Sequence, residues 1–220
     1  LREGVTDGVG LRVIETPAIL SEIGTQPRWF ADFLMSGGMP KMQSWSLYAP
    51  PGSSAKDVAK FYASVWPPNL VWNDIERIRS VWPGKLVIKG LMDPADVAKA
   101  YDVGADAVSL SNHGGNKLNI MPATIDCLQA ARNAVPEGDT LFLDGGIRRG
   151  SDIMKALALG ADFCFLGRAF LYGVSAGGRN GAERAMEILS NGLSSTTGRP
   201  GRPRVDAVPS ERLFTPGPRW

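Results

Sequence analysis

The stretch "TLFLDGGIRRGSDIMKALALGADFCFLGRAF" (Thr140–Phe170) holds two short apolar runs with a helix-like segment between them. A strand, a helix and a second strand in this order form a βαβ unit, and such crossovers join parallel strands. The same alternation extends outward. Upstream lie the apolar run "KLVIKG", a helix "DPADVAKAYDVG" with an acidic cap and a glycine stop, the run "AVSLSN" and the helix "ATIDCLQAARNAV". Downstream lies the helix "NGAERAMEILSNG". Four strand–helix units therefore follow one another. Their near-continuous apolar strands predict a parallel sheet covered on both faces.

A closed (β/α)8 barrel needs eight strands and about 250 residues. With four clear strands in 220 residues, the chain reads as an α/β protein built like half of a barrel. Residues 1–84 form a helical and loop lead-in, 85–195 the half-barrel, and 196–220 an extended Pro-, Gly- and Arg-rich tail. In the lead-in, "TPAILSEI", "PRWFADFLMSG", "SAKDVAKFYASVW" and "VWNDIERIRSVW" read as helices. Prolines suit the first turn of the first two, and Ser53 or Ser54 can cap the third.

Composition narrows the function classes. A 44% hydrophobic and 21% charged chain is ordinary for a soluble globular protein. A net charge of +2 gives no reason to expect nucleic acid or an anionic membrane as partner. No apolar run approaches the roughly 20 residues of a membrane-spanning helix, and the first residues show no signal-peptide core. Cys127 and Cys164 suggest no disulfide framework, which points to a reducing, cytoplasmic compartment.

The strand ends carry the chemistry, because ligands of parallel α/β sheets bind at C-terminal strand ends. One run delivers Asp144, then Gly145, Gly146 and Arg148, with Ser151 expected to cap the next helix. The next ends in Gly167 and Arg168. Glycine amides and arginines at two adjacent strand ends suit a phosphate. Lys89 finishes "LVIKG", where an ammonium at the mouth of the sheet and a solvated, snorkelling lysine read equally well. His113 is the single histidine, just past a strand end, two residues after Ser111 and followed by glycines. That is a place for a general base. With no second histidine or cysteine cluster nearby, no metal site is expected.

"SNHGG", "LDGGIRRGSDIMKALALGAD" and "LGRAFLYG", in this order and spacing, resemble the FMN-dependent α-hydroxy-acid oxidase/dehydrogenase family, which includes glycolate and lactate oxidases and mandelate dehydrogenase. The resemblance is close over residues 70–192 and looser before them. It implies the C-terminal half, strands 5–8, of a TIM (β/α)8 barrel with FMN across the strand ends. By motif position it implies Lys89 beside the flavin, Ser111 positioning the cofactor and His113 as active-site base. Asp144 would orient the imidazole and hold its charge once protonated. Gly145, Gly146, Arg148, Gly167 and Arg168 would bind the FMN phosphate. The implied reaction oxidises a small 2-hydroxy acid to its 2-oxo product, with the flavin as two-electron acceptor. Related proteins are often tetramers, so a homo-oligomer is implied as well.

Two departures bear on this reading. The family's "SNHGGRQLD" places a carboxylate-binding arginine where this chain has Asn116, followed by Lys117, Leu118 and Asn119. An asparagine cannot form the bidentate charged pair, and the loss would cost about 1.5–3 kcal/mol. Either Lys117 compensates or the substrate lacks a free carboxylate; members tied to peptide-derived redox cofactors carry Asn there. Strands 1–4 are also absent. "LREG" aligns with the family's "RRE" segment, which would make Arg2 a second carboxylate-binding arginine. A truncated, non-catalytic half-barrel that binds phosphate or serves in assembly is the rival reading.

Overall fold

A computed structural model describes residues 21, 23–38, 41–65, 70–116, 118 and 120–198. Of the expected helix "TPAILSEI" only Ser21 and Ile23 are described, both helical, and Arg2, Lys117, Asn119 and the tail beyond Gly198 lie outside these residues. The chain divides into two compact units, the first ending at Val71 and the second starting at Trp72.

In the first unit, α1 (Pro27–Met35) starts on Gln26 with proline in its first turn. A short α2 (Gln43–Ser46) and α3 (Ala55–Ser64) follow. Ser54 caps α3 in a reciprocal box: its hydroxyl accepts the Asp57 N–H, and the Asp57 carboxylate accepts the Ser54 N–H. Trp45 packs edge-on against Phe61 and Tyr62 of α3.

The second unit opens with α4 (Trp72–Val81). Then alternate β1 (Val87–Leu91), α5 (Pro94–Asp102), β2 (Ala107–Leu110), α6 (Thr124–Ala134), β3 (Thr140–Asp144), α7 (Gly150–Ala158) and β4 (Phe163–Phe165). The last helix, α8 (Arg168–Gly198), is broken at Gly177–Gly178. Asp93 caps α5 by accepting the Ala95 N–H. The strands form one parallel sheet in the order β1-β2-β3-β4. This is the expected α/β architecture of half a TIM barrel.

Period-two alternation sends Val108, Leu110, Leu141, Leu143 and Cys164 to one face, where they bury with Val97 and Ala100 of α5, Leu128 and Ala131 of α6, and Ala156 of α7. Nine of these ten are fully buried aliphatic residues, so each contributes toward the 1.5–3 kcal/mol typical of a fully buried large aliphatic side chain, alanine less. The opposite face carries Lys89, Ser109, Phe142 and Phe163 in register. The expectation of cover on both faces is met over β2, where all four residues are buried, and not over β4. There Phe163 and Phe165 stay exposed and meet Phe142 edge-on. The reason is geometric: inward residues of a barrel strand are covered by the strands across the barrel, and four strands supply only one side.

At the N-terminal rim the chain repeats a clamp. Arg79 of α4 reaches Asp106, which accepts the Leu86 N–H just ahead of β1. Arg132 of α6 reaches Asp162, which accepts the Leu141 N–H of β3. Both acids close a "GAD" triplet, Gly104–Asp106 and Gly160–Asp162. Each ties the start of one strand to its neighbour and sets the register that carries the opposite rim.

Candidate active site

Three consecutive strand ends meet in one hydrogen-bonded group. A register slip between Lys89 and Leu91 marks the end of β1, with Gly90 at φ 103° between them. Lys89 Nζ donates to Ser111 Oγ at 2.8 Å and to Asp144 Oδ2 at 2.5 Å. Ser111 Oγ donates to Asp144 Oδ1 at 3.2 Å and accepts the His113 backbone N–H at 3.1 Å. Ser111 is buried, whereas the Lys89 side chain is about half exposed, so solvent screens its ion pair.

His113 opens a single 3-10 turn, His113–Gly115, with φ of 54°. A non-glycine residue in this left-handed region costs about 1–2 kcal/mol. Such strain persists only where the surroundings impose it, and it concentrates at functional sites. Here Asn112 does the imposing: its side-chain oxygen accepts the Gly114 N–H at 3.0 Å and its amide donates to the Pro122 carbonyl at 3.0 Å. Gly114, at φ 69°, sits in the region that favours glycine, and a Cβ there would lie 3.1 Å from the Arg168 guanidinium, which would have to give way. The arginine of the last strand end thus lies across the histidine turn.

The expected pairing of Asp144 with the His113 imidazole is not formed. Both Asp144 oxygens are taken by Lys89 and Ser111, and the exposed imidazole hydrogen-bonds none of the described residues. The Lys89 ammonium, within reach of the carboxylate, makes a charge-assisted bond to it. His113 joins the group through its backbone instead.

A cleft of about 1060 Å³ lies over this rim. Lys89, His113, Asn116, Asp144, Gly145, Gly146, Arg148, Gly167 and Arg168 all line it, and Ser111 lies beneath through its bonds. Arg2 lies outside the described residues, so its place is not assigned. The expected Ser151 cap is replaced: the Asp152 carboxylate accepts the Arg148 and Arg149 N–H groups at 3.0 and 2.9 Å. A carboxylate at the third helical position matches the positive end of the helix better than a hydroxyl. It also occupies those amides, which leaves the guanidinium groups and the glycine turns to receive an anion.

Two further residues shape the site, and neither was assigned a role from sequence. Asn112 holds the strained turn. Buried Thr124, at the start of α6, donates to the Gly145 carbonyl at 3.1 Å and fixes the glycine turn after Asp144. Asn112 lies inside "SNHGG" but is a common loop residue, and no spacing marked Thr124. The "GAD" clamps were findable, since the triplet occurs twice, each time ahead of a strand.

The cleft fits a nucleotide cofactor. It reaches the upper range of ligand cavities, and two Gly–Arg turns line it together with Lys89 and His113. Such a rim on a parallel α/β half-barrel suits an anionic ligand. The chain belongs to the FMN-dependent dehydrogenase family, whose sequence profile matches residues 6–215.

Among curated relatives, pre-mycofactocin synthase of Mycobacterium tuberculosis is 38% identical over 198 residues, covering 88% of this chain and 49% of that protein. L-lactate dehydrogenase of Xanthomonas campestris pv. campestris is 38% identical over 165 residues, covering 75% and 43%. The chain therefore spans about half the length of the curated relatives it matches. Among solved structures, the monotopic membrane protein (S)-mandelate dehydrogenase superposes with a TM-score of 0.84 at 32% identity, over 90% of this chain and 52% of that one. A mandelate oxidase structure superposes with a TM-score of 0.60 at 33% identity, over 63% and 41%. These relatives are FMN-dependent hydroxy-acid dehydrogenases and oxidases or kin to them, and the cofactor of the family is FMN.

Proposed function

We propose that this chain is the base-bearing, phosphate-binding half of an FMN-dependent oxidoreductase that oxidises a 2-hydroxy acid, or a related alcohol or amine, to the 2-oxo product. FMN, when bound, accepts the two electrons. Arg148 and Arg168, with the turns at Gly145, Gly146 and Gly167, hold its phosphate. His113 takes the substrate proton at the mouth of the cleft. Lys89 offsets negative charge beside it, and Ser111 and Asp144 fix the floor under the histidine turn. Asn116, three residues after His113, favours a substrate with a neutral polar group where the family's usual substrates present a carboxylate. Assembly as a homo-oligomer belongs to the same reading.

The observation that carries it is the meeting of the Lys89–Ser111–Asp144 group, the strained His113 turn and both Gly–Arg turns on one cleft. The purified chain is expected to take up FMN, turn yellow and bleach with substrate. His113→Ala is expected to lower turnover by about 10²–10⁴-fold with FMN retained. Normal turnover in that variant overturns the assignment of the base, and a chain that takes up no FMN overturns the whole reading.

A second reading concerns where the protein acts. The free thiols Cys127 and Cys164 support a reducing, cytoplasmic setting. The likeness to a monotopic membrane protein over nine-tenths of the chain supports a place on the membrane surface, on its cytoplasmic side.

A further inference from the structure

A second cavity, of about 270 Å³, opens where α6 and α7 begin. It shares the glycine turns and Arg168 with the cleft. Lys89, His113 and Arg148 line the cleft alone, whereas Thr124, Ile125, Asp152 and Lys155 line this cavity alone. We propose that it binds a small monocarboxylate with a short apolar body, held by the Lys155 ammonium and the amides at the start of α6. The site is separate from that of the cofactor and substrate in the cleft.

Helix α6 begins without a cap. Ala123 stands at its N-cap position and offers no side-chain acceptor, and Asp126 in the first turn makes no capping bond. No described residue accepts the N–H of Thr124 or of Ile125, although Thr124 is only 2% exposed. A buried helix end in this state calls for an acceptor, and its aligned amides favour a negatively charged one. The flanking helices show what α6 lacks. Asp93 accepts the Ala95 N–H at the start of α5, and Asp152 accepts the Arg148 and Arg149 N–H groups ahead of α7.

Charge and shape select the ligand. Lys155 and Arg168 against Asp152 leave one positive charge in excess on the cavity wall. Asp152 already accepts two amides, whereas the Lys155 and Arg168 side chains bond no described residue. Arg168 also faces the cleft, so Lys155 is the cation that belongs to this cavity alone. A single excess charge suits a singly charged carboxylate better than a phosphate. Ala123, Ile125 and Ile147 supply an apolar wall for a short hydrocarbon body. The volume lies just under the roughly 300–1,000 Å³ of pockets for drug-sized molecules, which holds the ligand to an acid of a few carbons.

The test is isothermal titration of the full 220-residue chain with isovalerate and with its neutral isostere isovaleramide, before and after addition of FMN. Isovalerate is expected to bind equally in both states and at least tenfold more tightly than the amide. Lys155→Met is expected to weaken isovalerate at least tenfold and to leave FMN binding unchanged. Ala123→Asp places a carboxylate at the helix start. It is expected to raise the melting temperature of the ligand-free chain and to abolish the further rise that isovalerate gives the native chain. A native chain that binds no isovalerate, or binds the amide equally well, overturns the proposal. Isovalerate displaced by FMN assigns the anion to the cleft and overturns the separate site. Native affinity in Lys155→Met, or an undiminished isovalerate effect in Ala123→Asp, overturns the way the ligand is held.

Discussion

Lys89 Nζ lies 2.5 Å from Asp144 Oδ2, joining the ends of β1 and β3 across the intervening strand, and Ser111 of β2 sits between them, bonded to both. The pair holds the floor of the cleft, and Ser111 passes that order to His113 through the backbone.

Removing the serine hydroxyl should therefore be felt at the histidine. Ser111→Ala deletes two bonds to charged groups and one to the His113 N–H. It is expected to lower turnover about ten- to a hundredfold, in keeping with 1.5–3 kcal/mol for hydrogen bonds to charged groups. The measurement is kcat at matched FMN content, and an unchanged kcat refutes the relay.

Arg168 lies against Gly114 and lines the cleft beside the second glycine turn. Arg168→Met is expected to weaken FMN binding about ten- to a hundredfold by losing a charge-assisted contact. Gly114→Ala is expected to weaken it in the same direction, because a methyl group would displace the guanidinium and strain the turn. Titration of flavin fluorescence reads both, and equal affinity in all three proteins removes the phosphate role.

Acid stability reports on the opposite rim. The Lys85 ammonium above all, then the Leu86 N–H, hold the Asp106 carboxyl down from the usual 3.8 to about 2. A pKa lower in the folded than in the unfolded chain stabilises the fold fully above about pH 4, and the contribution is lost as pH falls through about 2. Thermal melting is expected to fall over that window in the native chain and less steeply in Asp106→Asn. Identical slopes contradict the clamp.

Gly150, the first residue of α7, is buried where that helix meets Gly192 and Leu193 of α8. A methyl group there would overlap the Leu193 backbone. Gly150→Ala is expected to destabilise the second unit by about 1–3 kcal/mol, read as a lower urea midpoint. An unaltered midpoint means that the two helices separate freely.

The fold was legible along the chain because its signals are local. A near-continuous apolar run marked β3, Asp93 marked the start of α5, and the Gly–Arg pairs marked the strand ends that face the cleft. Cleft membership followed, since the parallel topology brings every C-terminal strand end to one rim. The part of α8 beyond the break at Gly177–Gly178 was legible as "NGAERAMEILSNG", whereas its first part, which starts directly after β4 at Arg168, was not.

By itself the sequence determined the four parallel units, the rim on which Lys89, His113, Asp144 and the arginines gather, and the family they belong to. Only the tertiary structure decided who bonds whom there. Asp144 met Lys89, 55 residues away in sequence, rather than the exposed His113 imidazole, because strand register delivers an ammonium to the carboxylate. Local patterning sets each strand and helix, but a charged group's partner is chosen by whatever the packed strands bring within hydrogen-bond reach.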